Sequence, residues 1–142
     1  EPEQSCGIIY AARDVDEDMI VMVKQMPNAW VSRSRYENWT DYVFDSEMPW
    51  VDLAFHQFFR EVGYKWSVKL LGIFCDEVHT FLVTEQATEG DLFSWVDSAY
   101  ATEYPFLPTE HFFRPLVVQC LTALQELHGL SIAHGDISLQ SI

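Results

Sequence analysis

The residues of this sequence whose types suit phosphate chemistry are Lys24, at the end of an apolar run, and Asp136, in the triplet His134-Gly135-Asp136. A lysine ammonium pairs well with phosphate oxygens, and a loop carboxylate can orient a hydroxyl group and accept its proton. The triplet alone is weak evidence, since a motif with two fixed positions recurs by chance in many proteins. The elements that surround both residues therefore decide what chemistry they support.

The amino-terminal part of the chain predicts an antiparallel sheet and one helix. An acidic turn at residues 14–18 joins the first two strands, and β-branched residues mark the last strand. Residues 47–62 form an amphipathic segment that begins near Pro49, a residue favoured in the first turn of a helix. The predicted strands cover residues 6–13, 19–24, 68–71 and 80–85.

The carboxyl-terminal part predicts two helices and a loop. Residues 86–90 break the last strand, and an amphipathic helix follows at residues 91–96. Apolar residues at helical spacing predict a buried helix over residues 112–128, which Gly129 ends as a C-terminal cap. A short apolar run then leads into the H-x-D triplet.

In this order, the elements resemble the front half of a eukaryotic protein kinase domain. The resemblance is carried by the strand that ends in Lys24, the break at residues 86–90, the ending Leu127-His128 of the long helix, and the H-x-D triplet. It implies an α+β fold that stops before the activation segment. Residues 1–85 would form the antiparallel β-sheet amino-terminal lobe with helix C, residues 86–90 the hinge, and residues 91–142 the first helices and the catalytic loop of the α-helical carboxyl-terminal lobe.

The same resemblance implies a site for ATP and Mg²⁺. Lys24 would pair with the α and β phosphates, Asp136 would be the catalytic base, and Ser141 stands at the position of an asparagine that ligates magnesium. Thr84 would be the gatekeeper residue beside the adenine. The nucleotide pocket would be formed by Gly7, Ile9, Met22, Lys24, Asp52, Thr84, Glu85, Ala87 and Asp91.

Two of these implied contacts have a simpler alternative. The backbone of residues 85–87 would meet the adenine edge, and Asp91 would reach the ribose hydroxyls. Taken alone, however, this stretch also has the pattern of a strand, a turn and a capped helix in any α+β protein. Both interpretations stay open at the level of sequence.

A helix C should present an acid to Lys24, and two residues are candidates. Asp52 falls about where the family's glutamate lies once residues 68–71 are matched to the next strand, although aspartate is one methylene shorter. Glu47 is the alternative, five residues away and on a different face of the helix. Asp52 could instead be a solvated acid that the helix dipole stabilises near the N-terminus.

The segment around Lys24 is similar to one branch of the family. The run Met22-Val23-Lys24-Gln25, with the proline and tryptophan that follow it, resembles the Phe-Ile-Lys-Lys segment of the FIKK kinases of apicomplexan parasites. These kinases lack the usual glycine triad. Here Pro2 and Gln4 stand at its first two positions, so only Gly7 remains, and the loop cannot fold as closely over phosphates.

Substitutions also surround Asp136. Gly135 replaces an arginine that in many kinases receives an activation-loop phosphate, and Ser138 replaces a lysine that steadies the transferred phosphate. The neutral hydroxyls of Ser138 and Ser141 exert a weaker electrostatic field on a charged transition state than the lysine and the magnesium-binding asparagine of the family pattern. These two serines, together with Pro2 and Gln4, favour a pseudokinase.

Composition limits the class of partner. A formal net charge of −14 with 8 Lys and Arg residues argues against nucleic acid and favours a basic protein as partner. No apolar run reaches the length of about 18 residues that a membrane span needs. The widely spaced Cys6, Cys75 and Cys120 fit neither a disulfide framework nor a zinc site, so we expect reduced core residues in a reducing environment. The cellular location stays open, export into a host cell included.

The leading hypothesis is an ATP-dependent serine/threonine kinase domain of FIKK-like type, of which these residues are a part. The alternative is a pseudokinase that serves as a protein-interaction or regulatory module, and a third hypothesis is an unrelated acidic interaction domain. Since the 142 residues contain no D-F-G motif, we expect this stretch alone to lack phosphotransfer activity. We also expect an exposed apolar flank on the helix of residues 115–128, where further helices of the lobe normally pack.

Overall fold

The computed structural model describes residues 7–31, 49–101 and 110–142. Its architecture is α+β, as expected, with a 4-stranded antiparallel sheet and several helices. The elements are the strands β1 (Ile8–Asp14), β2 (Met19–Pro27), β3 (Leu70–Cys75) and β4 (His79–Glu85), and the helices α1 (Asn28–Val31), α2 (Pro49–Val62), α3 (Leu92–Ala101) and α4 (Glu110–Gly129).

The chain divides into two compact units. Unit 1 is Glu1–Gln86 and contains the sheet, α1 and α2, whereas unit 2 is Ala87–Ile142 and contains α3, α4 and the loop that follows α4. The boundary lies inside the segment 86–90, which breaks the last strand.

The strands are arranged in the order β1-β2-β4-β3, and all neighbouring pairs are antiparallel. This confirms the antiparallel sheet predicted from the sequence, with different strand ends. β3 begins at Leu70 rather than at residue 68 and continues to Cys75, with an irregularity in register between Leu70 and Gly72. β2 and β4 are central, so side chains on either strand have cross-strand neighbours on both sides.

Local hydrogen bonds hold the acidic turn between β1 and β2. The carboxylate of Asp14 accepts the backbone N–H groups of Asp16 and Glu17, at 2.9 and 3.2 Å. Arg13 forms an ion pair with Asp18, whose φ of +54° is the left-handed conformation that closes the turn. Because all of these contacts are local, the sequence was sufficient to predict the turn.

One face of the sheet packs against α2 and α1. Met26, Leu70 and Leu82 lie on that face and are 0%, 5% and 3% exposed, and Leu53 of α2 completes the cluster at 9% exposed. Trp30 and the end of α1 pack against its edge. Since burial of each such side chain stabilises a fold by about 1.5–3 kcal/mol, this apolar cluster holds α2 on the sheet.

α2 ends in a Schellman-type motif at Gly63. The N–H of Tyr64 donates to the carbonyl of Phe59 at 2.9 Å, and Gly63 has a φ of +69°. The ring centroids of Phe59 and Tyr64 are 4.8 Å apart, which is the apolar contact that commonly accompanies this motif. Glycine suits the position because the left-handed conformation costs it little.

α4 ends differently from the prediction. Gly129, which was expected to cap the helix, is its last helical residue, and the left-handed residue is Ser131 with a φ of +62°. The N–H of Ile132 donates to the carbonyl of Leu127 at 3.2 Å, and the N–H of Ser131 donates to that of His128 at 2.9 Å. These are the two bonds of a Schellman motif. The prediction was wrong because glycine is only a preference there, and serine fills the position with some strain.

The expected apolar flank is present on α4. Val117, Val118 and Leu121 share one side of the helix and are 53%, 54% and 60% exposed. Leu127, near the end of the helix, is buried instead, at 4% exposed.

Among the described residues, no helix is long and apolar enough to cross a membrane.

The cysteines depart in part from the prediction. Cys75 and Cys120 are free thiols. Cys75 is exposed at the end of β3, so the expectation of a core residue was wrong there, and Cys120 is half-buried. Cys6 lies outside the described residues. Cys75 is the last residue of β3, and the final three residues of this strand are exposed. The residue type alone does not predict this position.

We expect Ser131→Gly to stabilise the end of α4 by about 1 kcal/mol, because glycine adopts the left-handed conformation without strain. Hydrogen exchange at the amide of Ile132 measures this directly and should slow. Gly63→Ala is the matched control at the end of α2, where the amide of Tyr64 should exchange faster because alanine is strained at a φ of +69°. Unchanged exchange of the Ile132 amide in Ser131→Gly would contradict this description of the helix end.

Candidate functional site

Four of the residues predicted to contact a nucleotide share one face of the sheet. Ile9 is the cross-strand partner of Lys24, and Met22 is the partner of Thr84. Cross-strand partners point to the same side, and Met22 and Lys24 are two residues apart on β2, so both pairs face the same way. Thr84 is 8% exposed and Ile9 is 63% exposed, so this face runs from a buried centre to an open edge.

Lys24 and Asp52 form the ion pair that the sequence predicted. Lys24 Nζ lies 2.8 Å from Asp52 Oδ2, and the two side chains are 17% and 31% exposed. Their partial burial reduces the screening that weakens pairs on an open surface. Asp52 is therefore not merely a solvated acid at a helix N-terminus. The alternative partner, Glu47, lies outside the described residues.

His56 adjoins this pair, and sequence reasoning did not identify it. It lies one helical turn after Asp52, with its Nε2 3.5 Å from Asp52 Oδ1. Burial lowers the pKa of His56; the Asp52 carboxylate opposes this effect, and the Lys24 ammonium adds to it. The spacing of Asp52 and His56, four residues apart on an amphipathic helix, was the available signal.

Gly7 lies too close to β2 for any side chain. Its φ is +132°, and a Cβ at this position would lie 2.5 Å from the backbone oxygen of Gln25. The close approach of β2 therefore explains why residue 7, the one glycine left of the expected triad, is a glycine. Pro2 and Gln4 lie outside the described residues.

The expected adenine edge is partly used for backbone pairing. The N–H of Glu85 donates to the carbonyl of Lys69 at 3.0 Å, and Glu85 Oε1 accepts the N–H of Lys69 at 2.9 Å. Ala87 is exposed, and its carbonyl accepts the N–H of Gly90 at 3.4 Å, which forms a turn before α3. Glu85 is thus held within unit 1, whereas Ala87 belongs to the turn that opens unit 2.

Asp91 is the N-cap of α3. Its Oδ1 accepts the backbone N–H of Ser94 at 2.7 Å, and its Oδ2 accepts the Ser94 hydroxyl at 2.8 Å. The backbone hydrogen bond from Ser94, and next the bond from its hydroxyl, lower the pKa of Asp91. The capped helix is therefore established, and a contact of Asp91 with a ribose stays a prediction.

All four N–H groups in the first turn of α3 have acceptors. Asp91 provides two of these acceptors, one in its side chain and one in its carbonyl. The N–H groups of Leu92 and Phe93 donate to the carbonyls of Ile142 and Leu139, at 2.8 and 3.0 Å. These two bonds tie the predicted catalytic loop to the start of α3, and they leave no donor of this turn for an anion.

Asp136 lies exposed in the loop after α4. Its backbone N–H donates to Nδ1 of His134 at 3.3 Å, so a neutral His134 carries its proton on Nε2. Gly135 has a φ of +80°, a conformation in which the arginine of the family pattern would be strained. Glycine at this position thus matches the backbone of the loop.

Ser138 and Ser141 bond to each other. Ser141 Oγ accepts the N–H of Ser138 at 2.9 Å, and it lies 3.0 Å from the carbonyl of Ser138 and 3.1 Å from that of Asp136. A hydroxyl has one proton and two lone pairs. The two carbonyls share its proton, and the N–H and the hydroxyl of Ser138, the latter 3.3 Å away, donate to its two lone pairs. Among the described residues, no group of three or more His, Cys, Asp or Glu side chains could hold a metal ion.

No protein-family model matches this chain, and a sequence search of curated proteins finds no match. The geometry of the residues above, and their resemblance to a known order of motifs, are the observations that bear on its function.

We expect Asp91→Ala to expose the first N–H groups of α3, so the amide of Ser94 should exchange faster with solvent. The amide of Phe93 should follow, because its bond to the Leu139 carbonyl lies in the same first turn of the helix. Asp91→Asn is the matched control, since its amide oxygen can still accept the N–H of Ser94. Equal exchange at Ser94 in Asp91→Ala and in the wild type would contradict the capping role.

The protection of the Ser94 amide should also depend on pH in the wild type. The folded pKa of Asp91 lies below its reference value of 3.8, so the carboxylate stabilises the helix start fully above that value. This stabilisation is lost as the pH falls through the lower folded pKa. Asp91→Asn should lack the acid-induced loss.

Proposed function

We propose that these residues belong to a divergent, FIKK-like protein kinase domain that binds ATP and transfers its γ-phosphate to a serine or threonine of a protein. The observation that supports this most is the Lys24–Asp52 ion pair, which joins a central strand to the helix packed on the sheet. In the family that the chain resembles, a strand lysine held by a helix acid positions the nucleotide phosphates.

The sheet face around Lys24 supports an adenine nucleotide as the ligand. Met22 lies on that face two residues before Lys24, a separation of about 6.6 Å along a strand, and its partner Thr84 is buried beside it. A methionine leaves less room than the usual alanine but can lie flat against an aromatic ring. The proposed binding of ATP is therefore weak.

Asp136 is the proposed catalytic base, which would orient the substrate hydroxyl and accept its proton. Its loop begins at the Schellman motif of α4 and is tied to α3 near its other end through Leu139 and Ile142. Fixed loop ends favour this role, because a general base must be held within hydrogen-bond reach of the proton it removes. The charge of −14 favours a basic segment as the protein substrate.

The described residues do not by themselves fit a magnesium ion. Ser141 offers one neutral oxygen that is already bonded within its loop, and a magnesium site in a protein is usually built around one or two carboxylates. We therefore assign no step of the proposed reaction to magnesium.

The internal bonding of Ser141 favours the second candidate, a pseudokinase that serves as a protein-interaction or regulatory module. A hydroxyl that accepts the N–H of Ser138 and donates to a carbonyl stabilises the loop rather than a metal ion. In this alternative the Lys24–Asp52 pair would keep the nucleotide site or the packing of α2 intact without phosphotransfer.

Calorimetric titration with ATP tests the proposed nucleotide site. In the full-length polypeptide we expect a Kd of roughly 100 µM or weaker, near the upper part of the range in which enzymes bind their substrates. Met22→Ala should tighten binding because it enlarges the pocket, and Lys24→Met should abolish it because the phosphates lose a charged donor. Lys69→Met, which removes an exposed lysine, is the control. Undetectable binding in both the wild type and Met22→Ala would reject the enzyme hypothesis.

A phosphotransfer assay separates the two candidates. If the domain is an active kinase, labelled phosphate should pass from ATP to a basic protein, and Asp136→Asn should reduce the rate by at least about a hundredfold. Asp97→Asn removes the same charge from an exposed position of α3 and should leave the rate unchanged. Transfer that survives Asp136→Asn would contradict the assigned base, and nucleotide binding without any transfer would support the pseudokinase.

A further inference from the structure

The carboxylate of Asp52 is held from two sides. Lys24 Nζ lies 2.8 Å from its Oδ2, and His56 Nε2 lies 3.5 Å from its Oδ1. Lys24 is on the sheet, whereas His56 is on the same helix as Asp52, one turn later. The histidine side chain is 19% exposed, so this contact, like the ion pair, is largely removed from solvent.

The surroundings of His56 identify the position of its proton. Nδ1 is buried and has no hydrogen-bond partner among the described residues. A buried acceptor without a partner costs less than a buried charged group, and only one nitrogen of a neutral ring carries a proton. The neutral tautomer with its proton on Nε2 therefore directs its N–H toward Asp52 and leaves Nδ1 as the unpaired acceptor.

The charged groups that act on His56 come from two elements. Asp52 is on α2 itself, and Lys24 is on β2. The other described elements packed against α2 are α1, which has no titratable side chain, and β3, whose Cys75 is exposed at its far end. A proton added to the ring would be attracted by Asp52 but repelled by Lys24, and it would place a second N–H in a buried position without an acceptor.

We propose that His56 is a positioning residue for the Lys24–Asp52 pair: the neutral ring holds one carboxylate oxygen so that the other faces Lys24, and protonation of the ring releases it. The positioning is a property of the chain itself. Its consequence, a loss of nucleotide affinity in acid, rests on the proposed function.

The direction of the pH dependence follows from the burial of the ring. The pKa of His56 is lowered from 6.5, chiefly by burial, so a conformation in which the ring is released binds the proton more readily than the packed one. The packed arrangement is therefore fully favoured above pH 6.5 and weakens as the pH falls through the lowered value. A histidine here makes the docking of α2 sensitive to protons in the range in which imidazole side chains titrate.

Nuclear magnetic resonance of the 142-residue chain without nucleotide tests the proposal. Between about pH 8 and 5, a range in which an ordinary aspartate or lysine does not titrate, the Asp52 carboxyl carbon and the Lys24 terminal carbon should shift with the midpoint of the His56 ring. His56→Gln keeps a neutral donor near the same position, so both resonances should stay at their high-pH values throughout. His56→Leu removes the donor at similar volume and should displace both resonances at every pH.

His79→Gln is the matched control, because it removes another histidine beside a carboxylate, 3.9 Å from Asp76, at the β3–β4 loop. It should leave the midpoint at Asp52 and Lys24 unchanged. The proposal is overturned if the two resonances do not follow His56, or if His56→Gln and His56→Leu behave alike. If His56→Leu does not fold, the wild-type titration and His56→Gln still decide. A shared midpoint in a chain that never binds ATP would support the positioning role and reject the proposed function alone.

Discussion

A lysine ammonium that is 17% exposed requires a partner of opposite charge, because removing an unpaired charge from water is costly. Asp52 provides it from a position 28 residues later, which is possible only while α2 lies on the sheet. Leu53, the next residue, is buried in the apolar cluster that holds the helix there. One turn of α2 thus carries both the apolar packing and the ion pair, so the docking of this helix on the sheet brings both together.

Among the described residues of unit 2, Leu127 is the one buried apolar side chain, and hydrogen bonds at the helix ends order the loop and the start of α3. The end of α4 closes in a Schellman motif through Ser131, and the chain then returns so that carbonyls of the loop accept the first N–H groups of α3. Because every donor of that turn is used, the helix start and the loop that carries Asp136 stabilise each other. Order at Asp136 is therefore a consequence of the capping of α3.

The departures from the kinase pattern in this loop have a common physical character. Gly135 occupies a left-handed conformation that disfavours arginine, and Ser141 bonds to Ser138 and to a carbonyl where the pattern has a metal ligand. Where the kinase pattern has charged or ligating side chains, this loop has a left-handed glycine and internal hydrogen bonds. Such a loop is held by its own hydrogen bonds, but it places fewer charges near a transferred phosphate. The same geometry therefore supports two separate proposals, an active kinase and a protein-interaction module.

The sequence by itself determined the elements of this protein. The period of two in the strands, the acidic turn, the proline at the start of α2 and the apolar spacing of α4 are local signals, and each predicted element is present with ends that differ by a few residues. The apolar run that ends in Lys24 also placed this residue on a strand, and the strand order makes that strand a central one.

Only the tertiary structure decided which groups meet. The contact of Asp52 with Lys24 had an alternative in sequence, and the approach of His56 to Asp52 was not foreseen, because side-chain distances depend on how α2 docks on the sheet. The cap at Ser131 and the bonds from α3 to the loop likewise depend on where distant carbonyls lie. Periodicity predicts which face of an element is buried, whereas the partner of a polar group is set by the packing of elements far apart in the chain.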